Sequence, residues 1–401
     1  MGYRYSNMLS EMKQSEIREL LKYASSDDVI SFGGGMPNPQ AFAIDDLKEI
    51  IDYLVENHGK DVFQYGSTAG IVTLRKEISK MLSETEKIKV SENNIIVTSG
   101  SQQGLYASAK VLCDPFDPVI TEMPTYIGAL SAYNANKVDI HGVEMDDDGI
   151  MTEKVEDEIR SLKSSGKPPK FIYVIPTFQN PSGRTMSLER RKHLLEISEE
   201  NDIPIIEDNP YGELRYSGRR IPSIKSLDKN DSVVYMGTFS KIMTPGLRIG
   251  FIAGPQDFVD RINLLKQALD LATNTLSTYI AAEYLSRGIM KKQIPKSIDL
   301  YRRKRDIMLR ALADHFPDDS EWTKPDGGMF LWARVNSRID TTLMAKEAIS
   351  RGVMYVSGSA FYPHMERRDE MRLNFTFPTD EKIEEGIKRL ASLIREKTAH
   401  L

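Results

Sequence analysis

Short β-branched runs alternate with longer segments of helical spacing through most of the chain. Ile95 to Thr98 passes through Ser99-Gly100-Ser101 into Gln102 to Ala109, whose spacing is helical. Phe171 to Ile175, Ile203 to Asp208, Val233 to Met236 and Ile249 to Ala253 are further apolar runs, and Ser187 to Glu200 reads as a helix with a mixed charged face. Near-continuous apolar runs of this length are what strands buried on both faces require, so the pattern predicts an α/β fold with a mostly parallel sheet covered by helices. Beyond Ile289 the texture changes. A charge-laced helical segment around Tyr301 to Asp306 leads to the apolar runs Met329 to Trp332 and Val353 to Val356. The chain closes on a helix from Asp380 to Lys397, with Ile383, Ile387, Leu390 and Ile394 at three- and four-residue steps. We expect a large α/β domain over 46–288 and a smaller α+β domain over 289–401.

Composition narrows the partners. The 401 residues carry 53 Lys+Arg against 58 Asp+Glu, a net charge of −5, with 40% hydrophobic and 28% charged positions. That is a globular balance, and without a long basic block a nucleic-acid backbone is not an expected partner. The single cysteine, Cys113, cannot form an internal bridge, which points to a reducing compartment. No apolar stretch approaches the ~18 residues of a membrane span, so a cytoplasmic protein is expected. Gly2 followed by Ser6 fits only the weak myristoylation pattern, and acylation is not expected. Arg302 to Arg305 read as faces of a solvated helix, not a localisation signal. Glu144 to Gly149 imitates the front of a calcium loop, but Val155 stands at position twelve, where the bidentate Glu belongs, so an acidic turn is expected. The six scattered histidines give no metal spacing, and no metal is expected.

The unusual local sequences lie where strands end, the edge at which open parallel sheets bind ligands. Ser99 to Gly104 joins a strand to a helix start and offers backbone N–H groups and hydroxyls to an anion, although Ser and Gly are also ordinary capping residues there. Gln179-Asn180-Pro181-Ser182-Gly183 is a turn that presents an amide. Asp208, in Asp208-Asn209-Pro210-Tyr211, is either a turn former or a buried charge awaiting a cation. Lys241, flanked by hydroxyls and apolar residues in Thr238 to Gly250, suits partial desolvation and a free amine, though a lone lysine is usually a surface residue. A lysine for an aldehyde, a carboxylate for a ring nitrogen, an amide and hydroxyl for a phenolic oxygen and a phosphate cup are together the parts of a pyridoxal-phosphate site.

The Asn-Pro-Ser-Gly turn, the Asp-x-x-Tyr segment and the Ser-Lys…Pro-Gly-x-Arg-x-Gly block carry a resemblance to the fold-type-I, class I/II aminotransferases, with motifs in order from about Ser15 to Asn374. The resemblance implies pyridoxal 5'-phosphate bound covalently by Lys241, which also shuttles the substrate Cα proton. It implies a ring nitrogen held by Asp208 and a phenolic oxygen held by Asn180 and Tyr211. Tyr126 would stack on the ring. Ser101, Gln102, Thr238, Ser240 and Arg248 would hold the phosphate, with Tyr65 supplied by the other subunit of a homodimer. Arg372 would clamp the substrate α-carboxylate with help from Asn180, and Gly35 would bring backbone close to the substrate. Ser15 to Lys22 and the glycine run after it resemble the branch containing 2-aminoadipate, kynurenine and aromatic aminotransferases. There the N-terminal segment, 1–45, covers the active site, and Arg18 would meet a distal carboxylate. Asn209 beside Asp208 departs from the pattern and is expected to alter cofactor affinity. The expected reaction is ping-pong amino transfer from 2-aminoadipate, glutamate, aromatic or large apolar amino acids to an acceptor such as 2-oxoglutarate. The alternatives are a lyase or decarboxylase on the same scaffold, or a non-catalytic sensor.

Overall fold

The computed structural model describes residues 3–6, 29–364 and 367–399. Strand β1 (Ile30–Ser31) stands apart from the main sheet, which holds β2 (Ile95–Thr98), β3 (Pro118–Met123), β4 (Asp139–Asp146), β5 (Gly149–Ile150), β6 (Ile172–Val174), β7 (Ile205–Asp208), β8 (Val233–Thr238) and β9 (Gly250–Ala253). Their order is β2-β9-β8-β7-β6-β3-β4-β5. From β8 across to β4 every pair is parallel.

The apolar runs are continuous because both faces of the sheet are covered, and every residue of β2, β6, β7, β8 and β9 is buried. Successive residues serve opposite layers. Ile206 and Val234 pack with Leu105, Phe258 and Ile262, whereas Ile205 and Val233 pack with Val155, Ile159 and Leu194.

Two strands qualify the parallel expectation, the first being the short edge strand β5, antiparallel to β4. β9 runs antiparallel to both β8 and β2, so β2 points the same way as β8. The carboxyl ends of β2, β3, β6, β7 and β8 therefore share one edge, and the start of β9 lies there too. In register, Gly250 sits between Thr98 and Thr238.

The C-terminal half builds a second sheet, β10-β11-β14-β13, from β10 (Glu321–Trp322), β11 (Phe330–Arg334), β13 (Val356–Ser357) and β14 (Glu370–Asn374). The run Val353 to Val356 is not one strand. Its first half, β12 (Val353–Met354), leaves this sheet and pairs in parallel with β1, and only its second half joins β14. Helices Ile289–His315 and Asp380–Ala399 close the core through Tyr301, Met308, Leu312, Ile383, Ile387, Leu390 and Ile394. Gly386 is required inside the last helix because a Cβ there would stand 2.5 Å from the Phe32 ring.

Arg302 to Arg305 are a solvated face only in part: Arg303 is exposed and pairs with Asp380 at 2.8 Å, but its neighbours turn inward. Lys304 is 2% exposed and donates to the Pro378 carbonyl and, at 3.2 Å, to Asp380. Arg302 donates to the Tyr216 carbonyl, and Arg305 reaches the Pro325 carbonyl while lying over the Tyr216 ring. Charge laced through a helix looked like solvent contact, but long stems carry these cations to buried carbonyls. The acidic turn at Asp146 to Gly149 is a turn between β4 and β5, with the Asp148 amide donating to Asp146 Oδ1. No described helix is long and apolar enough to cross a membrane.

Candidate active site

At the shared edge, β2 gives way to Ser99-Gly100 and the helix Ser101–Leu112, which has no side-chain cap on its first turn. Its leading N–H groups are thus free for an anion. Gly100 adopts φ 76°, and a Cβ on it would lie 2.5 Å from the Arg248 guanidinium. Gly250 lets β9 approach this loop, since a Cβ there would fall 2.8 Å from Gly100 backbone. The hydroxyls of Thr98 and Ser101 are buried without a hydrogen-bond partner. Thr238 and Ser240 bond each other at 3.0 Å beside them. Gln102 donates to the Gly128 carbonyl at 2.8 Å, and Gly128 leaves space for the Tyr126 ring, whose Cζ would be 2.4 Å from a Cβ.

β7 delivers Asp208 to the same edge, 1% exposed. The Tyr173 hydroxyl donates to its Oδ2 at 3.1 Å, and Oδ1 has no partner. Burial pushes the carboxyl up to about 7. At ~1.4 kcal/mol per pH unit, ionising it unassisted costs roughly 4 kcal/mol, which a cationic N–H against Oδ1 would offset.

From the β6 end, Asn180 Nδ2 donates to the Tyr211 hydroxyl at 3.2 Å, and its Oδ1 accepts from Arg372 at 2.9 Å. Arg372 comes from β14 and is 1% exposed; it also donates to the Gly33 carbonyl at 2.7 Å. Its guanidinium lies 4.1 Å from the Phe330 ring centre and 5.0 Å from that of Phe361, and its Nε has no partner. Burial pushes it down to about 10.

Lys241 follows β8 and extends its Nζ to the Gly35 carbonyl at 2.6 Å. Burial, and then the charges of Arg372 and Arg248, push its ammonium down to about 8, so a useful fraction is free amine near neutrality.

The donor set fits one kind of ligand: a dianion in the cup, a protonated ring nitrogen at Asp208, an oxygen at Asn180 and Tyr211, and an aldehyde within reach of Lys241. The geometry brings together Lys241, Asp208, Tyr211, Asn180, Tyr126, Ser101, Gln102, Thr238, Ser240, Arg248 and Arg372. Tyr65 is not among them; it is 84% exposed. Arg18 lies outside the described residues.

One expectation is corrected. Asn209 turns away from the cleft and donates to Glu86 and to the Tyr235 hydroxyl, so its neighbour in sequence is not its neighbour in the site. Gly35 does bring backbone to the cleft, its carbonyl accepting from Lys241 Nζ at 2.6 Å, and within this chain a Cβ there would meet only Phe330 at an ordinary 3.5 Å. Sequence reading missed Tyr173, Phe330, Phe361 and the Gly33 carbonyl. Tyr173 was legible in principle, because it sits one β-strand over from Asp208 in a strand otherwise built of aliphatics.

Residues 28–390 match the family described as aminotransferase class I and II. The chain is 45% identical over 393 residues to aromatic-amino-acid aminotransferase 1 of Thermococcus litoralis, covering 98% of this chain and 94% of that protein. It is 30% identical to the 2-aminoadipate transaminase of Thermus thermophilus, covering 96% and 94%. It superposes on the kynurenine aminotransferase of Pyrococcus horikoshii, solved with PMP, KYN and KYA, with a TM-score of 0.95 at 43% identity, covering 98% and 97%.

Proposed function

We propose, from the premise that this chain belongs to the class I and II aminotransferases, that the cleft at the sheet edge is its active site, with the roles set out below. The protein is an amino acid aminotransferase and its cofactor is pyridoxal 5'-phosphate. When bound, the cofactor supplies an electron sink that acidifies the substrate Cα–H bond.

The residues supply the rest. Ser101, Gln102, Thr238, Ser240, Arg248 and the first-turn N–H groups neutralise the phosphate. Asp208 keeps the ring nitrogen protonated through Oδ1, while Tyr173 holds Oδ2 and so fixes the carboxylate plane. Asn180 and Tyr211 hold the phenolic oxygen, and Tyr126 covers the ring. Arg372 takes the substrate α-carboxylate, with Asn180 setting its fork and two phenyl rings excluding water from it. Lys241 Nζ would hold the cofactor through its aldehyde carbon, and as a free amine would take the substrate Cα proton and return it. Both halves of a ping-pong cycle use the same clamp, which suits one site accepting amino and oxo acids in turn.

The observation that carries this reading is Lys241 itself, its Nζ extended into the cleft to the Gly35 carbonyl at 2.6 Å and much of its basicity removed by burial and by the charges of Arg372 and Arg248. We further propose aromatic, large apolar and dicarboxylic amino acids as donors, with 2-oxoglutarate as an acceptor, supported by the aromatic and aminoadipate enzymes among the relatives. Arg18 is our candidate for a distal carboxylate. A cytoplasmic homodimer divided at 46–288 and 289–401 belongs to the same proposal, supported by Phe63 at 68%, Tyr65 at 84% and Leu264 at 63% exposure in the single chain. In it Tyr65 completes the partner's phosphate site.

The experiment is a panel of amino acids mixed with holoprotein, following conversion of the bound cofactor to its amine form by absorbance, then its return with 2-oxoglutarate. Amino acid consumed over many turnovers without any oxo acid acceptor, the cofactor keeping its aldehyde form, would instead mean a lyase or decarboxylase, and no conversion with any donor would mean a sensor.

A further inference from the structure

The phosphate cup rests on a charged network that touches no ligand. Lys266, on the helix Gln256–Leu269, is fully buried, and its Nζ makes four contacts with oxygen. It donates to Gln103 Oε1 at 2.9 Å, to both carboxylate oxygens of Asp270 at 3.0 and 3.1 Å, and to the Thr273 hydroxyl at 3.2 Å. Gln103 Oε1 also accepts the Ser99 amide N–H at 2.8 Å, and Gln103 Nε2 donates to Asp270 Oδ2 at 2.7 Å. The Ser99 hydroxyl donates to that same oxygen at 3.0 Å, and Thr273 donates to the Val97 carbonyl at 3.4 Å.

The chemistry leaves no freedom in this arrangement. An ammonium and a backbone N–H both need an acceptor, so the Gln103 carbonyl must face them and its amide must face the carboxylate. Lys266 thereby fixes Gln103, Gln103 fixes the Ser99 N–H, and Ser99 fixes Gly100, the residue against the Arg248 guanidinium. The same ammonium holds Thr273, whose hydroxyl donates to Val97 near the carboxyl end of β2, just before the cup. A buried ammonium with every proton engaged is costly to place and is held by its partners.

We propose that Lys266 is a positioning residue for the cofactor phosphate, holding the Ser99-Gly100-Ser101 loop in its anion-binding shape from the side away from the ligand. The inference rests on the cofactor assignment above and adds to it a residue that touches neither cofactor nor substrate.

The test compares two probes on apoprotein by fluorescence titration: pyridoxal 5'-phosphate and pyridoxal, which lacks the phosphate. Wild type should favour the phosphate ester strongly. Lys266→Met should cut that preference by about tenfold or more, in line with disconnecting one buried hydrogen-bonded charge, while pyridoxal affinity moves little. Asp270→Asn, which keeps the shape and weakens the same hold, should cut it by roughly threefold and serves if the first variant does not fold. Both affinities falling together, with the preference intact, would show a merely structural lysine and overturn the proposal. A wild type that does not prefer the phosphate ester would overturn the cofactor assignment itself, and this inference with it.

Discussion

The two halves of the cleft are built in different ways. The cofactor half comes from one sheet: Asp208, Lys241, Thr238 and the Gly100 loop all sit at ends of adjoining strands whose register fixes them. The carboxylate clamp is assembled from three remote parts of the chain. Arg372 on the C-terminal sheet bonds Asn180, 192 residues away, and Gly33, 339 residues away. A site held by strand register is rigid as soon as the sheet forms. A clamp shared among segments depends on how the second sheet sits against the first, so substrate binding should respond to changes that leave the cofactor undisturbed.

Substitutions can separate the halves. Lys241→Ala has the largest expected effect, a loss of turnover of roughly 10^4-fold or more with cofactor still bound, read by single-turnover kinetics and absorbance. Asp208→Asn should cost roughly 10²–10³-fold in kcat, because the ring nitrogen loses its charged partner, with the absorbance band shifted. Arg372→Lys should raise KM for every amino acid by roughly 30- to 100-fold through loss of the bidentate fork, and should leave the cofactor spectrum unchanged. A spectrum that moves with Arg372→Lys would break the separation. Arg18→Ala sharpens it at the small end: roughly tenfold in kcat/KM for dicarboxylates against aromatics, and no change for aromatics.

Acidity gives an independent check on the cofactor half. The Lys241 ammonium is pushed from 10.5 to about 8 in the folded apoprotein. Below pH 8 the amine must lose a proton before it attacks an aldehyde, so the rate of cofactor capture should rise about tenfold per pH unit and level off above 8. Between about 8 and 10.5 the unfolded chain holds this proton and the folded chain does not. Its contribution to apoprotein stability therefore increases with pH across that window and is constant outside it, measurable as denaturation midpoints in Lys241→Met against wild type.

Sequence made the cofactor half legible because its chemistry is written in short local words: Asp-Asn-Pro-Tyr, Asn-Pro-Ser-Gly, Ser-Lys. Each falls at a strand end, and strand ends are marked by where an apolar run stops. The clamp was legible only through the resemblance, since Arg372 follows a charged stretch and nothing local marks it as buried beneath Phe330 and Phe361. The same blindness to remote contacts hid Tyr173 and Lys266, and it turned Lys304 into a surface residue on paper. Val353 to Val356 is a single apolar run in sequence, and periodicity cannot tell which sheet each half will join. Asn209 shows the converse error, adjacency in sequence taken for adjacency in space.

The central claim is that the Lys241 ε-amino nitrogen carries the cofactor. Borohydride reduction of the holoprotein, followed by proteolysis and mass mapping, tests it most directly. A phosphopyridoxyl group on the peptide containing Lys241, at one per chain, is the predicted result. The label on a different lysine, or no label on a protein that still transaminates, would contradict the account.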